Sequence, residues 1–478
     1  RAARLVEQLR APLAAEEFRM SFLAENRAPS ENLARIYLAE NKLKQAFQMI
    51  EQARSRSLAE SLSDDFAKPS EKKTASKPDA KIQRLREELN WFYSRISRAA
   101  PAELEDLRRE AQRREREIAA LQRQTESTRR ARKISGRGLD PDKLRKQLGG
   151  HRAMVEFVCF DGHYGAFVLT DKKISYFEKL ATEREVRELL EGLRFQFGTL
   201  RYGARNLGGF IAELKQRADF YLEKLYAKLL SPLEEAFKQL DLVIIPVGGL
   251  HYVPFHALRD AGGRYLIESR EIVYAPSGAV WQKLAEKARR KNRREALLIG
   301  FADEKIPLVA REIEALEKIF PAAKSLTGAR ATFSAYTANA AEFDILHIAC
   351  HGQFRPENPL FSSLHLADGW ITVRDICAQR LERAELVTLS ACETGLHKIF
   401  AGDEILGLAR GFLAAGARNL VLSLWTVSDA ATTALMKDFY TNLQRGASLP
   451  ASLRRAQNNF IERGEHPYFW SPFALIGK

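Results

Sequence analysis

The chain has 478 residues, enough for two to four domains and an ample buried core, and its 45 % hydrophobic and 28 % charged residues exclude a disordered or fibrous protein. The longest apolar runs, LVIIPV at 242–247 and LVLSLW at 420–425, are strand-sized and fall well short of the roughly 18 residues of a membrane-spanning helix. The net charge of +14 belongs mainly to residues 1–150, with 33 basic against 23 acidic side chains, yet these alternate as on a solvated helix face rather than forming a continuous basic surface.

Four cysteines at 159, 350, 377 and 392 contain no Cys-x-x-Cys pair, which points away from a disulfide framework or zinc ribbon and toward a reducing, cytoplasmic setting with no metal or cofactor. The opening RAARLVEQLR has neither Met nor an apolar leader and reads as either a processed chain or a stretch cut from a longer parent, the second being preferred.

Residues 1–66, rich in Ala, Leu, Glu and Arg, carry apolar residues at helical spacing. Ala34, Tyr37, Ala46, Ile50 and Ala53 alternate small and large side chains as two closely packed antiparallel helices require. The spacing resembles one tetratricopeptide repeat, although a generic helical hairpin accounts for the same residues. A single repeat cannot bury its stacking face, so further repeats are expected upstream. Residues 67–80, AKPSEKKTASKPDA, read as a linker. In residues 81–135, Ile82, Leu85, Leu89, Phe92 and Ile96, and after Pro101 Leu104, Leu107, Ala111, Ile118 and Leu121, describe an antiparallel helical hairpin whose role is spacing or docking.

Beyond Gly136 the period changes. AMVEFVCF and YGAFVLT, joined by Asp161 and Gly162 and followed by KISYFE, form a β-hairpin with a third strand. DLVIIPVG, EALLIGFA, FDILHIAC, ELVTLSAC and NLVLSLWTV are short apolar runs separated by helical segments, the pattern of an α/β parallel sheet covered by helices on both faces.

In such sheets the working groups gather where the carboxyl ends of strands open into loops. FDILHIAC leads to His351 and Gly352, and ELVTLSA leads to Cys392, Glu393, Thr394 and Gly395. An imidazole and a thiol at one sheet edge are the minimum for cysteine-dependent acyl transfer, with His351 moving the proton and Cys392 attacking. Gly352, without a side chain, lets its N–H approach an oxyanion together with the N–H of Cys392. By residue type alone, a free Cys or a lone His is more often a buried structural residue. That bland reading is kept for Cys159, Cys350 and Cys377, for His347 inside its strand, and for His251 and His256, which no thiol or carboxylate cluster accompanies.

The passages LVIIPVGGLHYVPFHAL, VYAPSGAV, DILHIACHGQF, LHLADGWITVRDI, LVTLSACETG, GDEILGLARGFLAAGARNLVLSLWTVSD and HPYFWSPFALIG, in this order over about residues 140–478, closely resemble CHAT domains. That resemblance implies kinship with caspases and separases, a position behind tetratricopeptide repeats, and a degenerate caspase-like half at 136–290 packed on an active half at 291–478. It carries the His of the His-Gly motif onto His351 and the Cys of Ser-Ala-Cys-Glu-Thr-Gly onto Cys392.

The leading reading is therefore a cysteine endopeptidase acting on a protein substrate and controlled by a protein partner on the repeats; a non-catalytic interaction scaffold is the alternative. Glu393, Asp403 and Glu404 would supply an acidic pocket for Lys or Arg, although Asp403 and Glu404 equally suit the N-terminus of the helix EILGLARGFLAAG, and that capping role is preferred. Trp425 and Asp429 would wall the same cleft, with Asp429 also suited to cap the next helix. Nucleic acid is not expected as a partner: residues 108–146 hold 14 basic and 6 acidic residues but no aromatic residue on which a base could stack.

Overall fold

Helical spacing at the amino end and short apolar runs beyond it become helices and strands for which the computed structural model describes residues 28–54, 58, 62, 77–96, 103–126, 139–201, 210–287, 294–302, 308–353, 359–390, 405–425 and 429–478. Residues 1–27 of the repeat-like segment, and most of the linker, lie outside these. The first helices, α1 (Ala28–Ala39) and α2 (Leu43–Ala53), pack as a pair through the fully buried Ala34 and Ala46. Helix α3 (Lys77–Ile96) begins inside the stretch read as linker, because Pro78 suits a first helical turn. It pairs with α4 (Leu104–Glu126) through Ile82, Leu85, Leu89, Ala111 and Ile118, the residues whose spacing marked the hairpin.

An 11-stranded sheet occupies the rest, in the order β3-β2-β1-β4-β5-β14-β13-β12-β8-β6-β7. Strands β1 (Arg152–Phe160), β2 (His163–Leu169) and β3 (Ile174–Thr182) form the antiparallel edge. Asp161 and Gly162 both take positive φ, 48° and 73°, which gives the first hairpin the turn whose twist matches its strands. Helices α5 (Glu183–Arg201) and α6 (Phe210–Leu229) follow, then β4 (Asp241–Ile245), β5 (Ile272–Tyr274) and α7 (Gly278–Glu286).

The second half contains β6 (Ala296–Gly300), α8 (Val309–Glu317), β7 (Lys324–Thr327), β8 (Ile345–Ala349), β12 (Leu386–Leu389), α9 (Ile405–Ala414), β13 (Leu420–Ser423), α10 (Asp429–Gln444), α11 (Leu449–Glu462) and β14 (Phe473–Ile476). Between β8 and β12 a small antiparallel sheet forms from β9 (Gly352–Gln353), β10 (Ser363–Leu366) and β11 (Gly369–Thr372).

The two halves share one sheet because the last strand joins them. β14 is parallel to β5 and antiparallel to β13. Strands β1, β4 and β5 consequently run opposite to β13, β12, β8, β6 and β7, and the carboxyl ends of the two sets lie at opposite edges. In the second half the strand order reverses at β6, with β7 on one side and β8 on the other, so the crevice expected of an open parallel sheet opens beside the carboxyl end of β8.

Strand alternation explains how the first half is buried on both faces. Met154, Val158, Phe167, Leu169, Val243 and Ile245 point to the side covered by Ala34, Ala46, Phe47 and Ile50 of the α1–α2 pair, whereas Val155, Phe157, Ala166, Val168, Leu242 and Ile244 join the main core. Glu51 reaches from α2 to the amino end of α7, where its two carboxylate oxygens accept the N–H groups of Gly278 at 2.8 Å and Ala279 at 2.7 Å. Those N–H groups have no partner within their own helix, so an α2 side chain completes α7. Arg54 meets the fully buried Glu156 at 3.2 Å, and burial, with Glu51 nearby, pushes that carboxyl well above its usual range. No helix among the described residues is long and apolar enough to cross a membrane.

Candidate active site

β8 and β12 are adjacent and parallel, with Ile345 beside Leu386 and Ile348 beside Leu389, and the N–H of Ser390 extends the ladder to the carbonyl of Ile348 at 3.0 Å. His351 lies two residues beyond the end of β8 and is buried. Its carbonyl accepts the N–H of His365 at 2.8 Å. Gly352 opens β9, opposite Leu364, and is also buried. Cys392 follows Ser390 by two positions in the sequence; Cys392, Glu393, Asp403 and Glu404 lie outside the described residues.

Trp425 follows β13, the strand next to β12. Its indole is 4 % exposed, donates to the carbonyl of Tyr468 at 3.2 Å and packs against Phe197 with ring centroids 5.0 Å apart, so most of this side chain is committed to the core. Asp429 is the first residue of α10, one position inside the helix that the sequence placed as beginning near Ala430.

The remaining cysteines and histidines occupy different environments. Burial, with Glu183 adding to it, pushes the Cys159 thiol up to about 12, and Cys350 is buried in the core. Cys377 ends a short helix, Val373–Cys377, and is half-buried. His256 is buried between the halves: Nδ1 lies 2.9 Å from the Tyr274 hydroxyl and Nε2 2.9 Å from the carbonyl of Ser471. Since a carbonyl only accepts, Nε2 carries the proton and the tyrosine hydroxyl donates to Nδ1.

Burial depresses His256 to about 4 and His466 to about 4 as well. A histidine whose folded value lies below its unfolded one contributes stability that is complete above about 6.5 and lost as pH falls toward the folded value. The melting temperature should therefore drop between about pH 6.5 and 4, and His256→Gln should flatten that acid limb; an unchanged limb would remove His256 as a cause.

Two sets of contacts near the strand ends have no signature in the one-dimensional pattern. The α3–α4 hairpin docks on β11: the Asn90 side chain accepts the N–H of Trp370 at 3.1 Å, Arg86 pairs with Asp375 at 2.8 Å, and Tyr93 meets the Trp370 ring edge-on at 6.3 Å. Trp370 in turn stacks on His365 at 4.5 Å with a 14° interplanar angle, and His365 is the residue whose N–H holds the His351 carbonyl. The hairpin is thus two residues removed from His351. The second set is a buried chain of Glu312, His347, Tyr440, Thr388 and Ser390 between α8, β8, α10 and β12. A buried His347 supporting this edge was expected from its place inside the strand; its carboxylate and hydroxyl partners come from distant segments.

A mostly parallel sheet with helices on both faces, a strand-order reversal, and a histidine beside the end of the strand that leads to a cysteine define a caspase-like protease-fold protein. The family model described as CHAT domain matches residues 220–478, more than half of the chain, and the protein belongs to that family. The matched stretch begins at 220 rather than near 140, although β1, β2 and β3 ahead of it belong to the same sheet.

Tetratricopeptide repeat protein 28 of Mus musculus is 35 % identical over 109 residues, and that of Homo sapiens 34 % identical over 109 residues. Each match takes in 22 % of this chain and only 4 % of the relative's length. A chain of the Saccharomyces cerevisiae separase–securin complex aligns with 97 % of this chain at a TM-score of 0.58 and 9 % identity, with 37 % of its own length covered; at that identity the likeness is one of fold.

Proposed function

We propose that this protein is a cysteine endopeptidase in which Cys392 is the nucleophile and His351 its proton carrier. The observation that carries the reading is the parallel pairing of β8 with β12, whose carboxyl ends lead to His351 and toward Cys392. In the reaction the Cys392 thiolate adds to the scissile carbonyl, the amine leaves with the proton held on His351, and water releases the thioester as the new carboxyl end. Gly352 and the Cys392 N–H would hold the oxyanion. Glu393, Asp403, Trp425 and Asp429 are the proposed substrate-binding residues, with Asp403 and Asp429 also suited to helix capping.

The substrate is a protein, and control enters from the amino-terminal side through a partner bound to the repeats. Two features support that route: the α1–α2 pair is built into the first half by Phe47 and Glu51, and the α3–α4 hairpin reaches His351 through Trp370 and His365. A cytoplasmic setting follows from the unpaired cysteine spacing. Nucleic acid has no part in this reading; within the basic stretch Arg114 already pairs with Glu88 and Glu110 and lies over the Phe92 ring.

Thiol reactivity tests the assignment. At neutral pH iodoacetamide should alkylate Cys392 ahead of Cys159, Cys350 and Cys377, because a thiolate beside an imidazole is present when a buried thiol is still protonated. Peptide mass spectrometry that finds Cys392 no faster than the other three would favour the scaffold.

A further inference from the structure

The cleavage chemistry makes no direct use of the polar chain beneath the two strand ends. Glu312, in the first turn of α8, is buried, and its Oε1 accepts the Ser390 hydroxyl at 2.5 Å. The same oxygen lies 3.1 Å from His347 Nε2, in an ion-pair contact rather than an aligned hydrogen bond. On the other side of the ring, His347 Nδ1 is 3.1 Å from the Tyr440 hydroxyl, which donates to Thr388 Oγ1 at 2.7 Å.

Hydrogen-bond accounting then assigns the protons. The tyrosine hydrogen is used on Thr388, so Nδ1–H of His347 donates to the tyrosine oxygen. Nε2 consequently faces the Glu312 carboxyl group.

The placement of this chain is specific. His347 and Thr388 are register partners across β8 and β12. Ser390 is two residues short of Cys392, and His347 four short of His351. Apolar side chains would fill the same space without burying a carboxylate, but they would leave the two strands free to slide by fractions of an ångström. Directional bonds select one arrangement.

We propose that Glu312 is a positioning residue for the dyad: by holding Ser390 and His347 on one oxygen it fixes the carboxyl end of β12 against β8, the two strands that lead in sequence to Cys392 and His351. The inference rests on the peptidase reading above. Correct spacing matters because a misplaced base no longer stabilises the thiolate, and small displacements cost large factors in rate.

The experiment follows iodoacetamide alkylation of Cys392 against pH in the full chain, together with thermal melts. The wild type should show a midpoint below the ~8.5 of an unassisted thiol. Ser390→Ala, a small change that leaves the fold intact, should raise the midpoint by about one pH unit and slow labelling at neutral pH about tenfold. Ser390→Thr keeps the hydroxyl and should restore both, and Glu312→Gln, which puts a neutral amide in place of the carboxylate beside His347, should resemble Ser390→Ala. A reactive wild-type Cys392 whose midpoint is unmoved by Ser390→Ala and Glu312→Gln would overturn the positioning role while leaving the peptidase reading standing. A wild-type Cys392 with no selective reactivity would overturn both.

Discussion

Cys392→Ala and His351→Ala should each remove most of the cleavage of an identified protein partner, by about a thousandfold or more, while stability falls by no more than about 1–2 kcal/mol. The asymmetry arises because both residues come after strands in the sequence, His351 two positions beyond the end of β8 and Cys392 three beyond Leu389, the last residue of β12. The double variant should be no worse than the worse single one, since nucleophile and base act as one unit. Cys350→Ala and Cys377→Ala serve as controls and should retain activity; Cys350 is in the core and its loss would lower the melting temperature slightly. Persistent cleavage by a folded Cys392→Ala protein would end the peptidase assignment and leave the scaffold.

Phe47→Ala should have the largest effect on stability, about 3–5 kcal/mol. Its ring is fully buried at the contact between the α1–α2 pair and the sheet, edge-on to Phe167 at 5.5 Å, in a cluster with Leu144, Val158, Val243 and Trp281. By contrast the exposed Arg35–Asp161 pair, 2.6 Å apart, lies beside the same contact, and Arg35→Ala should cost less than about 1 kcal/mol. Chemical denaturation of the two variants checks the difference, and limited proteolysis shows whether α1 and α2 detach first. A Phe47→Ala protein as stable as the wild type would mean that the pair is not integral to the first half, and would weaken the case for control from the repeats.

The candidate site was legible to different depths. His351 and Cys392 could be singled out because each terminates an apolar run, and the strand ends of a parallel sheet are a small set of positions. The coverage of both faces of β1, β2 and β4 was likewise implicit in runs that do not alternate with polar residues. Glu312 could not be found this way, for in the sequence it is one of several glutamates on an amphipathic helix. Its burial against Ser390, 78 residues away, exists only once α8 packs on the sheet. Trp370 and Asn90 present the same difficulty across 280 residues.

Local physics therefore determined the elements: helical spacing in α1 to α4, the Asp-Gly turn, the apolar strands, and the histidine and cysteine placed after two of them. Tertiary structure decided how these elements face one another. That β14 closes the two halves into one sheet of opposed strand directions, that α2 supplies the cap of α7, and that a hairpin from the first third docks on β11, two residues removed from His351, are long-range pairings. Many partners of similar hydrophobicity would satisfy each element by itself, and only simultaneous burial of all their faces selects among them.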